Sequence, residues 1–202
     1  MAQHKRFYID VETTGVDPNK HSMHQFAGLV EIDNKIVEEV VLWLAPDGEI
    51  EPQALTAQGI TIDAFNDPKY LPAEENYKKL TGIMKKYVNK FKKTDKFHVV
   101  GYNCQSFDTE FVRALFMSMG DVYYGSWFWY PSIDVMLLWS EILQRERSQL
   151  SNFKLMTLAK YLGIEVDETK AHEAMYDVTI TRELYRLYKI RMNPLAKAPQ
   201  KE

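Results

Sequence analysis

The hydrophobic period of this chain changes near residue 73, and that change constrains the fold more than any other feature. Before it, Arg6 to Val11, Gln25 to Ile32 and Ile36 to Leu44 are β-prone apolar runs of strand length. Asp33-Asn34, between the last two, is hairpin chemistry, because both residue types tolerate the positive φ of a tight turn. Thr13-Thr14-Gly15 and Pro46-Asp47-Gly48 read as turns after the first and third runs. From Ala73 to Lys93, Tyr77, Leu80, Ile83, Met84, Tyr87, Val88 and Phe91 recur at three and four, one face of a helix. Strand character returns at Phe97 to Tyr102 and Ser132 to Val135. Helices are predicted at Phe107 to Met119, from Val135 to about Arg145, at Asn152 to Leu162 and at Glu173 to Met192. The order β-β-β-α-β-α-β-α-α-α predicts an α/β fold, a mixed five-stranded sheet flanked by helices.

With 202 residues, 46% of them apolar and 26% charged, the chain suits one soluble globular domain, assigned to residues 1–192. A polar tail is expected over 193–202, because Asn193-Pro194 halts the last helix. No apolar run approaches the ~20 residues that span a bilayer, so no membrane association is expected, and no leader region precedes the first strand. The lone cysteine, Cys104, cannot form an internal disulfide, which suits a reducing compartment and a cytoplasmic location. The 25 basic and 28 acidic residues give a net charge of −3, so any nucleic-acid surface has to be local.

Two acids interrupt the first strand. Asp10 and Glu12, two apart, project from one face among Phe7, Tyr8, Ile9 and Val11. Two carboxylates about 4 Å apart repel by roughly 4 kcal/mol at an effective dielectric near ~20. Either one takes a proton or a divalent cation lies between them. In isolation such a pair reads as a solvated strand end. Two further elements accompany it. Gly101-Tyr102-Asn103-Cys104-Gln105-Ser106-Phe107-Asp108 is a strand, a loop and an acid opening a helix; alone, Asp108 reads as an N-cap or first-turn acid. The third is His172-Glu173-Ala174-Met175-Tyr176-Asp177. Its His and Asp would stand about 140° apart on a continuous helix, so they meet only if His172 sits in the preceding loop.

Together, Asp-x-Glu-Thr-Thr-Gly on the first strand, Asn-x4-Asp after a later strand and His-x4-Asp near the end resemble the DEDDh (DnaQ-like) family of 3′→5′ exonucleases. This is the family of the DNA polymerase III proofreading subunit, ribonuclease T and oligoribonuclease. The resemblance runs from about Arg6 to Tyr188. It takes in Pro131-Ser132-Ile133-Asp134, Leu158 to Ile164, and Ala57-Gln58-Gly59-Ile60-Thr61, which looks like the family's substrate loop. It implies a ribonuclease H-like fold. It also implies a hydrolase that releases nucleoside 5′-monophosphates from the 3′ ends of single-stranded DNA or RNA by a two-metal mechanism, with DNA favoured.

By that resemblance Asp10, Glu12 and Asp177 would ligate two Mg²⁺ ions, replaceable by Mn²⁺, with Asp10 bridging. Asp108 would bind a metal directly or through water. His172 would be the general base, and since imidazoles titrate near neutrality, activity should rise with pH there. Thr13, Thr14, Gly59 and Ile60 would hold the terminal nucleotide, with Ile60 and Phe107 against bases and Asn103 near the scissile bond. Tyr102 and Gln58 depart from the family pattern, in which His is common at both places. Two alternatives stand beside the DNA exonuclease: an RNase T- or oligoribonuclease-like exoribonuclease, and a non-catalytic nucleic-acid-binding or polymerase-accessory subunit. Retention of all five catalytic-type residues argues against the last, since clustered carboxylates are costly without a metal.

Other features have blander readings. Eight lysines between Lys78 and Lys96 read as a solvated helix face in preference to a phosphate-binding footprint. Base stacking, core packing and self-association as a homodimer all suit the aromatic cluster Tyr123, Tyr124, Trp127, Phe128, Trp129 and Tyr130. Gln149-Leu150-Ser151-Asn152-Phe153 faintly resembles a sliding-clamp-binding peptide, but an N-cap at Ser151 or Asn152 explains it more simply. Cys104 is expected to pack in its loop.

Overall fold

The computed structural model describes residues 3–193; Asn193 apart, the expected polar tail and the Pro194 stop lie outside the described residues. Five strands, β1 (Lys5–Thr13), β2 (Met23–Ile32), β3 (Lys35–Trp43), β4 (His98–Gly101) and β5 (Ile133–Asp134), form one sheet in the order β3-β2-β1-β4-β5. Its helices are α1 (Pro52–Ala57), α2 (Ala73–Tyr87), α3 (Asp108–Ser118), α4 (Val135–Ile142), α5 (Leu155–Tyr161) and α6 (Ala174–Met192). Strands β1 to β3 are antiparallel, while β1, β4 and β5 run parallel, so the sheet is mixed as expected. Among the described residues, no helix is long and apolar enough to cross a membrane.

The β2–β3 hairpin turns on Asp33 (φ 50°) and Asn34 (φ 68°), the two positive-φ residues a tight primed turn requires. Alternation along β1 then divides the core. Phe7, Ile9 and Val11 pack with Phe26, Val30, Leu80 of α2 and Phe111 of α3. Tyr8 points the other way, into a layer with Ala27, Leu29, Trp139 of α4, and Val178 and Leu184 of α6. Asp10 and Glu12 continue the Tyr8 face, so they point toward α6.

Several boundaries differ from the sequence reading. Helix α2 ends at Tyr87, well short of Lys93, because Val88 turns extended (φ −129°) while remaining buried. Phe91 is therefore 88% exposed instead of completing the apolar stripe. Lys90, Lys92, Lys93 and Lys96 lie in a connecting loop, and only Lys78, Lys79, Lys85 and Lys86 belong to a helix. Helix α4 ends at Ile142 rather than near Arg145. Helix α5 starts at Leu155, with Lys154 rather than Ser151 or Asn152 as its N-cap; Asn152 instead accepts the Lys154 amide in a local turn. Leu150 is buried and Phe153 packs against the α6-side layer, while Gln149, Ser151 and Asn152 between and beside them are exposed. The aromatic cluster splits, with Trp127 and Phe128 in the core and Tyr123 and Tyr130 exposed. Cys104 is fully buried.

Helix α1 was absent from the sequence reading, although its ends carry a signal. Pro52 stands at its start, and Gly59 follows its end with φ +68°. The Gly59 amide donates to Thr56 O (3.2 Å) and the Ile60 amide to Leu55 O (3.1 Å), a Schellman-type stop that favours glycine at its left-handed position.

Candidate active site

Strand β1 outruns its neighbour. Its pairing with β4 ends at Tyr8↔Val100, yet it continues to Thr13 against β2 alone. From Ile9 onward its β4-side edge is therefore open, and the Val11 N–H there has no strand partner. The Asp108 carboxylate, from the first turn of α3, accepts that N–H at 2.9 Å. This bond draws Asp108 to the strand carrying Asp10 and Glu12, and it does so as a crosslink rather than as an N-cap, that position being Phe107.

The loop between β4 and α3 is held by a residue to which sequence reasoning assigned no role. Buried Asp134 accepts the amides of Asn103 (3.0 Å) and Gln105 (3.2 Å), and also caps α4 through Met136 (3.0 Å). A buried carboxylate satisfied by backbone amides makes a rigid staple. Tyr102 adds another, its hydroxyl donating to Phe153 O at 2.7 Å. Asn103 turns the chain with φ 60° and is exposed, while Phe107 is half-buried against the α2–α3 layer and packs on Phe111 (5.1 Å between rings).

Asp177 lies in the first turn of α6 and is buried; His172 precedes the helix, exposed, in the loop that the geometry demanded. His172 holds φ +69°, an uncommon backbone state for a side-chain-bearing residue and one that turns it out of the helical path.

The four acids act on one another. Asp10, partly exposed, is held well above the usual carboxylate range by burial and then by Asp108, Glu12 and Asp177. Burial, followed by Asp177 and Asp108, pushes Glu12 up to about 8. Asp108 rises to about 7, chiefly through burial, although backbone hydrogen bonds, including that from Val11, oppose this. Asp177 rises to about 6, again through burial, with the His172 backbone pulling the other way. Among the described residues no Lys, Arg or His forms an ion pair with any of the four. Asp177 Oδ1 is buried without a hydrogen-bond partner. Among those residues no three His, Cys, Asp or Glu side chains already converge on a single ion position. The acids form a crowded cluster rather than a closed cage. An uncompensated, all-oxygen donor set with an orphaned buried oxygen suits a hard divalent cation.

The remaining candidates are already tied into the protein. Thr13 Oγ1 donates to Gly15 O (2.7 Å), and Thr14 Oγ1 to Glu49 O (2.6 Å). Gly15 cannot carry a side chain here, since a Cβ would stand 2.4 Å from the buried His21 ring. The Gly59 and Ile60 amides serve the Schellman turn, so neither is free to donate to a ligand. Gln58 bridges two strands: its Nε2 donates to Thr13 O at 2.9 Å, and its Oε1 lies 2.7 Å from His24 Nε2.

The RNase T-type exonuclease family model matches residues 7–185. The PolC-type DNA polymerase III of Ureaplasma parvum is 22% identical over 182 residues, which is 90% of this chain but 11% of the polymerase. Escherichia coli exonuclease I in complex with a dT13 oligonucleotide superposes with a TM-score of 0.75 at 25% identity, covering 95% of this chain and 42% of that one. A zinc-ion-bound exonuclease I–single-stranded DNA complex gives 0.75 at 26% identity, covering 96% and 42%. The chain thus spans about two fifths of those structures and about a tenth of the polymerase. The fold is the ribonuclease H-like one. Since the family match reaches from β1 to α6 and so takes in every member of the acidic cluster, the chain belongs to the RNase T-type exonuclease family, with the motif set of its DEDDh branch.

Proposed function

We propose that this chain is a divalent-metal-dependent 3′→5′ exonuclease acting on single-stranded DNA through a single domain over residues 1–192. The observation that carries this reading is the cluster of Asp10, Glu12, Asp108 and Asp177, crowded and, among the described residues, without a cationic side chain paired to it. Asp10, Glu12 and Asp177 would hold two Mg²⁺ ions, Mn²⁺ serving in their place, and Asp108 would complete the set. Such ions supply charge neutralisation at the phosphate and lower the pKa of water. The exonuclease I complexes with dT13 and with single-stranded DNA support DNA as the substrate, and the zinc-bound form supports divalent-cation binding in this fold.

His172 takes the proton of the attacking water. Water oxygen bonds to phosphorus, the bond from phosphorus to the 3′-oxygen of the penultimate nucleotide breaks, that oxygen takes a proton from solvent to become the new 3′-hydroxyl, and a nucleoside 5′-monophosphate leaves. The left-handed turn at His172 keeps its imidazole outside α6, free to approach from solvent. Ile60 offers an apolar wall to the terminal nucleotide, and Asn103, exposed on its stapled loop, is available to the phosphate. Phe107, half-buried and exposing part of its ring, flanks a base.

The test is a gel assay of matched 5′-labelled single-stranded DNA and RNA, in Mg²⁺ and in EDTA. A metal-dependent ladder shortening from the 3′ end, faster on DNA, is expected. Faster loss of RNA would move the assignment to an exoribonuclease. Binding without cleavage on either substrate would overturn the enzyme in favour of an accessory subunit.

A further inference from the structure

Helix α1 has six residues and one buried side chain, Leu55, and no side chain caps its start. A helix that short does not hold itself in water, so its position depends on ties to the rest of the fold. Its N-terminal end is tied to the connection between β1 and β2 by the Glu51 amide donating to Thr14 O (2.7 Å), and by Glu51 lying 3.2 Å from His21 Nε2. Among the described residues its C-terminal end is tied to the strands by the Gln58 side chain alone, through Thr13 O and His24.

His24 owes its place to an irregularity in the sheet. The β1–β2 register passes from Glu12↔Gln25 to Thr13↔Met23, leaving His24 as the extra residue of a bulge beside Glu12. Its ring is buried, packed on Phe65 (5.3 Å) and near Tyr70 (6.4 Å). Because the Gln58 amide group is donated to Thr13, its oxygen must accept, so His24 Nε2 carries the proton. His24 Nδ1 is then a buried acceptor with no partner among the described residues. Burial lowers the His24 pKa, in keeping with a neutral ring.

We propose that His24 and Gln58 form a positioning pair that registers the Gly59–Ile60 turn against the end of β1, and so sets how a terminal nucleotide seats beside Glu12. The proposal rests on the exonuclease reading above. A single chain of hydrogen bonds runs from His24 on β2 through Gln58 to Thr13 at the end of β1. Without it, α1 keeps only its N-terminal tether, and Ile60 can swing away from the acids.

The experiment measures kcat, KM and Tm for Gln58→Glu, His24→Phe and the exchange double variant His24→Gln/Gln58→His, on a single-stranded DNA oligonucleotide in Mg²⁺. Gln58→Glu keeps the acceptor for His24 but sets a carboxylate oxygen against Thr13 O. His24→Phe keeps the ring packing and removes the donor. Each single change is expected to raise KM by about ten- to a hundredfold, with a smaller change in kcat and Tm within a few degrees. The double variant is expected to recover most of that loss. An unchanged KM, a loss that disappears well below Tm, or failure of the exchange to rescue would overturn the positioning role. A wild-type protein inactive on all substrates would instead overturn the exonuclease reading, and this role with it.

Discussion

Strand β1 and helix α6 each contribute to two buried acidic networks, one toward either end of β1, and the two are resolved in opposite ways. Toward the start of β1, Glu31 is 2% exposed and receives Arg6 from β1 (2.7 Å) and Arg182 from α6 (2.8 Å). The Tyr8 hydroxyl adds a longer bond of 3.3 Å. Burial pushes Glu31 upward, but the hydrogen bonds from Arg6 and Arg182 outweigh it and hold the carboxyl below its usual range. Toward the other end, four carboxylates meet no cationic side chain among the described residues, and all are pushed up. The same strand and helix therefore show that this fold can neutralise buried acid internally. Leaving the second cluster open gives it capacity for charge from outside, at a cost in stability.

The sharpest break in this comparison is Asp10→Asn, which is expected to lower turnover by about 10³-fold or more while making the metal-free protein more stable. Turnover in the gel assay and denaturation in EDTA measure the two effects, and retained turnover would refute the metal-ligand role. His172→Ala is expected to lower kcat by about 10²–10⁴-fold with little change in KM. A change confined to KM would make His172 a substrate contact. Glu31→Gln attacks the compensated end, leaving Arg6 and Arg182 short of their counter-charge. A loss of about 3 kcal/mol in urea unfolding is expected, with kcat at saturating substrate unchanged.

The pH dependence of metal-free stability separates the two ends further. Glu12, Asp108 and Asp177 take up protons near 8, 7 and 6 when folded, against about 4 in an unfolded chain. Folded protein thus binds more protons over that interval, so its stability is fullest in acid and falls as pH rises toward about 8. Glu31, with a lowered value, contributes in the opposite sense and weakens only on acidification. Melting in EDTA is expected to drop by several degrees from pH 5 to pH 8, and Mg²⁺ at pH 8 to reverse the drop. A flat profile would remove the distinction between the clusters. The smallest effect belongs to Tyr8→Phe, which removes one long hydrogen bond; a loss of about 1 kcal/mol or less is expected in the same unfolding measurement.

The succession of strands and helices along the chain, the Asp33-Asn34 hairpin and the placement of His172 outside α6 were legible because each follows from local rules of period, turn chemistry or helical angle. Helix ends were less so. Val88 satisfies the helical stripe, yet it leaves the helix while staying buried, and no local rule separates those two ways of burying an apolar residue. The structural roles of Asp134 and Gln58 were hidden for a related reason. Their partners lie up to 45 residues away along the chain, and backbone acceptors and donors leave no mark in composition. The Asp108 crosslink was hidden likewise, because only pairing of the sheet reveals that the Val11 amide is free of a strand partner.

β1 also behaves as a reading frame. Its alternation assigns Phe7, Ile9 and Val11 to one layer and Tyr8, Asp10 and Glu12 to the other. Loss or gain of a single residue between Arg6 and Asp10 would send the acids into the layer around Phe26 and Val112 and leave phenylalanine and isoleucine facing α6. Within β1 residues can be substituted, but their number cannot change.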